Sequence, residues 1–439
     1  MATRDVPIRT AAAGTAAPGP IPGGTVTDDE LAELRSALEA RLPAYLSDLE
    51  RLVNVDCGSY TPTGVNDVAT WVADFLSECG ARIERRPDPG GRLGDTVIAT
   101  IEGRPGAGPR LLLIGHMDTV FDPGTAAARP FRIDDGIARG PGVTDMKGGL
   151  LTGLYAVREI VARARRRAGG DAPAVLPFER IVFVANPDEE IGSPSSTPHI
   201  REVAARSDAC LVLECARANG DVVSARKGIA DLRIRVHGKA AHAGVEPEKG
   251  RNAILAGSNL VRAIQDLNGR WPNVTTNVGV FRSGSRPNVV PDLAELQVDV
   301  RGMTRTSLEA ALAAVAEITA APGVPDVATE LETMASWLPM EKLERSGRLA
   351  DCAIALAARL GFTTRDVATG GASDANTTSG MGVPSLDGLG PVGGLDHSPD
   401  EYLEVASVVP RTALVAALLL ALGRDPVVAA WRAGERGRA

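Results

Sequence analysis

Arg110-Leu111-Leu112-Leu113-Ile114-Gly115-His116-Met117-Asp118 runs four consecutive large aliphatic residues into a histidine and an aspartate. A run without polar alternation has no solvated face, so it reads as a strand buried on both sides, as in sheets covered by helices. A histidine directly after such a strand stands at the mouth of the sheet, where open α/β folds place their sites. Asp118 is suited to accept a hydrogen bond from the other ring nitrogen and fix the tautomer. The pair alone reads more readily as a surface histidine beside a solvated carboxylate.

The flanking sequence supplies the rest of an α/β sheet. Thr27 with Glu30 forms a capping-box pattern ahead of Leu31, Leu34, Leu38 and Leu42. A second helix is expected over 65–79, stopped by Gly80, then a strand over 96–102 and a helix over 148–167. Ile181–Ala185 and Ala209–Leu213 are further short apolar strands. After Arg226 the pattern changes. Residues 229–237 alternate apolar and polar, and the order strand, helix, strand, strand, helix, strand closes near 327–334. The expected architecture is an α/β catalytic domain over 28–224 and 338–424, with a central mixed sheet flanked by helices. An inserted α+β, ferredoxin-like lid or dimerisation domain spans 225–337. Residues 1–27 read as a tail for want of periodic apolar positions, and 425–439 as a charged, frayed one.

Composition narrows the class. At 439 residues two domains are the prior expectation, and a net charge of -8 argues against a nucleic-acid partner. Five scattered cysteines without a CxxC pair fit a reducing, cytoplasmic compartment rather than a disulfide framework. No secretory h-region follows the start, and no unbroken run reaches the roughly 18 apolar residues of a membrane helix.

Four more segments carry acids or histidines in informative places. Asp145 sits between the glycines of Gly140-Pro-Gly-Val-Thr-Asp145-Met-Lys-Gly-Gly149, where an N-cap is the ordinary role. Asp188-Glu189-Glu190 follows a strand directly, and adjacent carboxylates repel unless a cation or solvent compensates them. Glu214 ends the strand Leu211-Val-Leu213, and His397 lies in the late loop Leu395-Asp-His397-Ser. Two histidines and three carboxylates suit two zinc ions if one carboxylate bridges them.

In this order and spacing, His116-x-Asp118, Gly142-x-x-Asp145-x-Lys-Gly-Gly149, Asp188-Glu189-Glu190-x-Gly192, His242 and His397 resemble the M20 metallopeptidases. The resemblance is to the glutamate carboxypeptidase branch and covers nearly all of residues 28–424. It implies two Zn(2+), with cobalt or manganese as substitutes. His116 and Glu214 would hold one ion, Glu190 and His397 the other, with Asp145 between them. Glu189 would be the general base, Asp118 would orient His116, and a cis peptide would follow Asp145. His242, in Gly238-Lys-Ala-Ala-His242-Ala-Gly, would stabilise the oxyanion in a partner subunit, which implies a homodimer through 225–337. Asn288 and Arg301 match positions that contact the substrate carboxylate, and Gly371 lies in a glycine-rich loop beside the site. His199 and His237 have no such context.

One departure bears on specificity. Glutamate-cleaving members tend to carry Arg-Pro-Pro before Met-Glu, whereas this chain has Trp337-Leu-Pro-Met-Glu341. Trp337 removes a cation and adds aromatic surface, so the expected substrate keeps one carboxylate for Arg301 with a less acidic remainder. The expected activity is hydrolysis of an amide next to a carboxylate, on a small peptide or an N-acyl amino acid. Carboxypeptidase or dipeptidase action leads, N-acyl-amino-acid deacylation is the alternative, and a catalytically silent binding protein is a distant third. A nucleotide-dependent oxidoreductase is excluded by the lack of a GxGxxG fingerprint.

Overall fold

The computed structural model describes residues 25–106, 108–169 and 175–431. Two compact units divide the chain. The larger runs to Ser224 and includes Lys342–Ala368 and the segment from Ser373; the smaller comprises Ala225–Glu341 with Thr369–Ala372.

Six strands form the sheet of the larger unit, in the order Arg82–Arg86, Thr96–Glu102, Arg180–Asn186, Arg110–His116, Ala209–Val212 and Ser385–Leu386. The first three pair antiparallel and the last four parallel, so the sheet is mixed, as expected. The run Leu111–Ile114 lies at its centre and is fully buried, because helices cover both faces. Three parallel strands therefore end on one edge, and their last residues or the loops beyond carry His116, Glu189, Glu190 and Glu214.

The helices beside the sheet start where local chemistry allows. Thr27 Oγ1 accepts the N–H of Glu30 at 3.2 Å while Glu30 returns a carboxylate oxygen to the N–H of Thr27 at 3.1 Å, so Asp28–Val53 begins on a capping box. Pro62 starts the second helix, Pro62–Glu78, at a position where a missing N–H costs nothing. Gly149 opens the helix Gly149–Ala168 against the end of a strand, and a Cβ there would meet the carbonyl oxygen of Leu213 at 1.8 Å. Leu34, Leu49, Leu76, Leu113 and Leu151 interlock as one core, where truncation of a leucine to alanine costs about 2–5 kcal/mol.

Two expectations about the tails need correction. Val26, assigned to the tail 1–27, is buried in the core just before the Thr27 cap, so order reaches further toward the start. The tail assigned to 425–439 is structured over its first residues: Asp425 caps the short helix Pro426–Ala430, and Val428 and Trp431 join the core. Apolar side chains spaced for one helical face outweigh the polar composition there. By length and composition Val405–Arg424 could cross a membrane, with a mean hydropathy of 2.1, although Arg411 interrupts its apolar run as expected. Its apolar surface is spent inside the chain, where 78% of that stretch is buried.

The smaller unit is an antiparallel sheet in the order Thr275–Ser283, Leu293–Gly302, Gly228–His237 and Ala328–Trp337, with helices Ala253–Gln265 and Arg305–Ala320 on one face. Alternation sends Ala230, Leu232, Ile234 and Val236 toward the helices and Asp231, Arg233 and Arg235 to the other face. The break expected at 337/338 falls instead after Glu341. Arg226 and Met340 exchange backbone hydrogen bonds, and Arg226 Nη1 and the Lys227 N–H reach Gly371 and Thr369, which ties both segments to the small unit.

Candidate metal centre

Asp145 is the hub of the acid and histidine cluster. Its Oδ1 lies 3.2 Å from His116 Nε2 and its Oδ2 lies 3.2 Å from His397 Nε2. His116 Nε2 is 3.7 Å from Glu214 Oε1, and His397 Nε2 is 3.0 Å from Glu190 Oε2. One carboxylate thus stands between two half-sites, each of one histidine and one further carboxylate. The structure brings together all five residues expected as ligands.

Local backbone makes this placement possible. Gly142 has φ +73°, and a Cβ there would strike Thr119 Cγ2 at 2.5 Å, so the turn before Asp145 requires glycine. Asp145 and Met146 depart from helical dihedrals within the turn Val143–Gly148, and the peptide between them is cis. His397 sits in the late loop with φ +61°.

Electrostatics follow from burial among like charges. Burial disfavours the imidazolium of His116, yet hydrogen bonds to Asp118 and Asp145 and the charge of Glu214 raise its pKa well above the ordinary value. Asp145 and Glu190 together push His397 up to about 10. Burial raises Glu189, with the charge of Glu214 next, and burial raises Glu190. Cation fit can be tested on the donors themselves. Glu190 Oε1 is buried without a hydrogen-bond partner among the described residues. Donor atoms of His116, Asp145 and Glu190 lie within 4.8 Å of one another, and so do those of His116, Glu189 and Glu214. A buried carboxylate oxygen left unpaired among other acids is costly unless a cation takes it, so this nitrogen and oxygen set fits divalent metal.

Residues outside the five hold them in place. Asp118 is fully buried; its carbonyl oxygen lies 3.0 Å and its Oδ1 3.3 Å from His116 Nδ1. Its carboxylate also accepts the backbone N–H groups of Glu189 and Glu190, and the hydroxyl of Ser59 at 2.6 Å. Asp374, just beyond the glycine-rich loop of Gly371, is buried and receives Ser193 Oγ at 2.7 Å and the amide of Asn186, which braces the loop bearing Glu189. Burial pushes it up to about 7. Glu401 was missed altogether; it accepts the N–H groups of Gly142, Thr144 and Asp145 at 2.8, 2.9 and 3.0 Å. Nothing in Asp-His-Ser-Pro-Asp-Glu401 marks it, because its partners are backbone groups 256 to 259 positions away.

The remaining expected residues belong to the small unit and form two separate groups. His242 and Asn288 share one end of its sheet. The short strands Ala241–His242 and Val289–Val290 pair, and the N–H of Ala243 donates to the Asn288 carbonyl. Gly244 N–H donates to His242 Nδ1 at 3.1 Å, so a neutral His242 carries its proton on Nε2 and offers it outward. Arg301, Trp337 and Gly371 share the other end, where Ile229 pairs with both Arg301 and Trp337 in one cross-strand row. Arg301 is held by Asp299 at 2.9 Å and donates to the Gly370 carbonyl at 3.0 Å. The eight residues from Leu293 to Arg301 separate the two ends by about 26 Å at ~3.3 Å each.

Known proteins resemble this chain over most of its length. Residues 112–421 match the model of peptidase family M20/M25/M40. The chain is 30% identical over 418 residues to carboxypeptidase G2 of Pseudomonas sp. (strain RS-16), covering 94% of this chain and 98% of that one. Among solved structures it resembles aminopeptidase PepT from Bacillus cereus, with a TM-score of 0.70, 22% identity and coverage of 91% and 100%. It also resembles the M20 family metallo-carboxypeptidase Sso-CP2 from Sulfolobus solfataricus, with a TM-score of 0.67, 14% identity and coverage of 86% and 99%. At these identities the two structures speak for the fold alone.

Proposed function

The chain belongs to peptidase family M20/M25/M40, a metal-dependent hydrolase of amide bonds, and we propose that it is a di-zinc enzyme cleaving an amide adjacent to a carboxylate. The observation that carries the reading is the Asp145 carboxylate, shared at 3.2 Å between His116 and His397. His116 and Glu214 would hold one cation, Glu190 and His397 the other, and Asp145 both; cobalt or manganese could replace zinc. Bound there, the pair supplies Lewis acidity to the scissile carbonyl and acidity to the attacking water.

Glu189 is the general base in this reading. It lies within the donor cluster, where desolvation and the charge of Glu214 raise its carboxyl above the ordinary carboxylate range, the direction that suits a proton carrier. It takes a proton from the attacking water and delivers it to the leaving nitrogen. Arg301 takes the substrate carboxylate as a preorganised cation, and Trp337, one strand beyond Ile229, favours an apolar side chain over a second acid. His242 donates from Nε2 to the oxyanion. His242 lies in a two-stranded ribbon beyond the end of the sheet where the strand Leu293–Gly302 starts, and Arg301 lies near that strand's other end, so in this reading they serve different centres. That supports a homodimer in which each His242 completes the partner's site. Five free, buried cysteines support a cytoplasmic location. Peptidase action leads over N-acyl-amino-acid deacylation because the 30% identical relative is a carboxypeptidase.

Mass-spectrometric detection of products tests this, with zinc-loaded protein offered dipeptides and N-acyl amino acids beside a Glu189→Ala control. Cleavage of C-terminally apolar dipeptides that vanishes in the control is expected. Cleavage confined to the acyl panel would shift the assignment to deacylase. No cleavage and no bound metal would overturn it.

A further inference from the structure

Glu401 lies 1% exposed beside the cluster and ligates none of its members. Its Oε2 accepts the N–H of Gly142, and its Oε1 accepts those of Thr144 and Asp145. These N–H groups belong to a turn that is not a regular helix, with Gly142 left-handed and non-helical dihedrals at Asp145 and Met146. Helical partners are therefore missing, and without Glu401 three N–H groups would point into a buried space unpaired, each costing about 1–3 kcal/mol.

The same segment carries His397. Its far end is anchored where Tyr402–Glu404 pairs with Ile137–Arg139 and where Arg139 donates to the Asp400 carbonyl at 2.9 Å. One loop thus provides a donor atom to the cluster at 397 and, four residues later, the brace for the backbone of the shared ligand. Asp145 must direct its two oxygens to two different histidines, so a small rotation of its backbone would open one half-site while closing the other.

We propose that Glu401 is a positioning residue that fixes the Gly142–Asp145 turn, holds Asp145 astride the two half-sites and so sets the affinity of the centre for both cations. The inference rests on reading the cluster as a metal centre. It adds a determinant that touches neither metal nor substrate.

Glu401→Gln is the informative variant, because one oxygen becomes an NH2 that cannot accept, freeing either Gly142 or the Thr144 and Asp145 pair. Zinc affinity would be read by competition with a chromophoric chelator, with circular dichroism to confirm folding and visible spectra of the cobalt-loaded protein to report ligand geometry. An affinity loss of about 10–100-fold, of the size seen for residues that orient ligands, with an altered cobalt spectrum, is expected. A folded Glu401→Gln protein with wild-type zinc affinity and an unchanged cobalt spectrum would reduce Glu401 to an ordinary hydrogen-bond acceptor. If that variant does not fold, residue-level hydrogen exchange on the wild-type protein decides. Slow exchange at Gly142, Thr144 and Asp145 without metal supports the proposal, and fast exchange that slows only with zinc overturns it. Wild-type protein that binds no zinc would instead remove the metal-centre reading itself.

Discussion

Asp118 holds Glu189 by its backbone: Oδ1 of the aspartate accepts the Glu189 N–H at 3.1 Å, beside its contact with the ring of His116. The loop with the proposed base and the strand end with the first histidine are therefore set by one carboxylate. Asp118→Asn would turn one acceptor oxygen into a donor facing a donor. The expected losses are about 1–3 kcal/mol of stability and about 10–100-fold in metal affinity or activity. Urea unfolding and kcat/KM measure the two, and a change in stability alone would separate Asp118 from the centre.

Replacing Glu189 by glutamine should leave two metals bound while kcat falls about 10²–10⁴-fold, the usual worth of a positioned proton carrier. Elemental analysis beside steady-state kinetics checks both halves. Loss of metal in this variant would make Glu189 a ligand, as its grouping with His116 and Glu214 permits.

Metal removal should destabilise the fold. Asp145, Glu190 and Glu214 crowd together, and a cation at 100 times its Kd adds about 2.7 kcal/mol per site. Thermal unfolding before and after dialysis against a chelator should show a lowered Tm that returns with zinc.

Acid should reach the protein partly through Glu30. Its carboxylate receives bidentate hydrogen bonds from Arg424 at 2.8 and 2.9 Å and one from Arg163 at 2.6 Å, which hold it well below the usual carboxylate range. A carboxyl depressed by folding contributes its full stability above its unfolded value near 4.5, and loses it as pH falls toward the folded value. Glu30→Gln should cost about 3 kcal/mol at neutral pH and should flatten the decline in stability below about pH 4.5. Urea midpoints across pH test the slope.

Trp337→Arg should move specificity toward a second acid. A hydrogen bond to a charged group is worth about 1.5–3 kcal/mol, roughly tenfold or more in kcat/KM for C-terminal glutamate over leucine. An unchanged ratio would place Trp337 outside the specificity surface.

The apolar strands and the acids that follow them are legible in the residues alone. Leu111–Ile114 reads as a doubly buried strand, which puts His116 at its end, and Glu189, Glu190 and Glu214 follow further apolar strands in the same way. The alternation in 229–237 likewise carried the smaller sheet. Tertiary structure alone decided how the acids are held. Glu401 meets the Asp145 turn across more than 250 positions, Asp374 meets Asn186 and Ser193, and Glu30 finds Arg424 at the far end of the chain. These partners are backbone groups or side chains far away in the sequence, which leave no period or motif, so a surface-like acid and a buried brace look alike until the chain has folded around them.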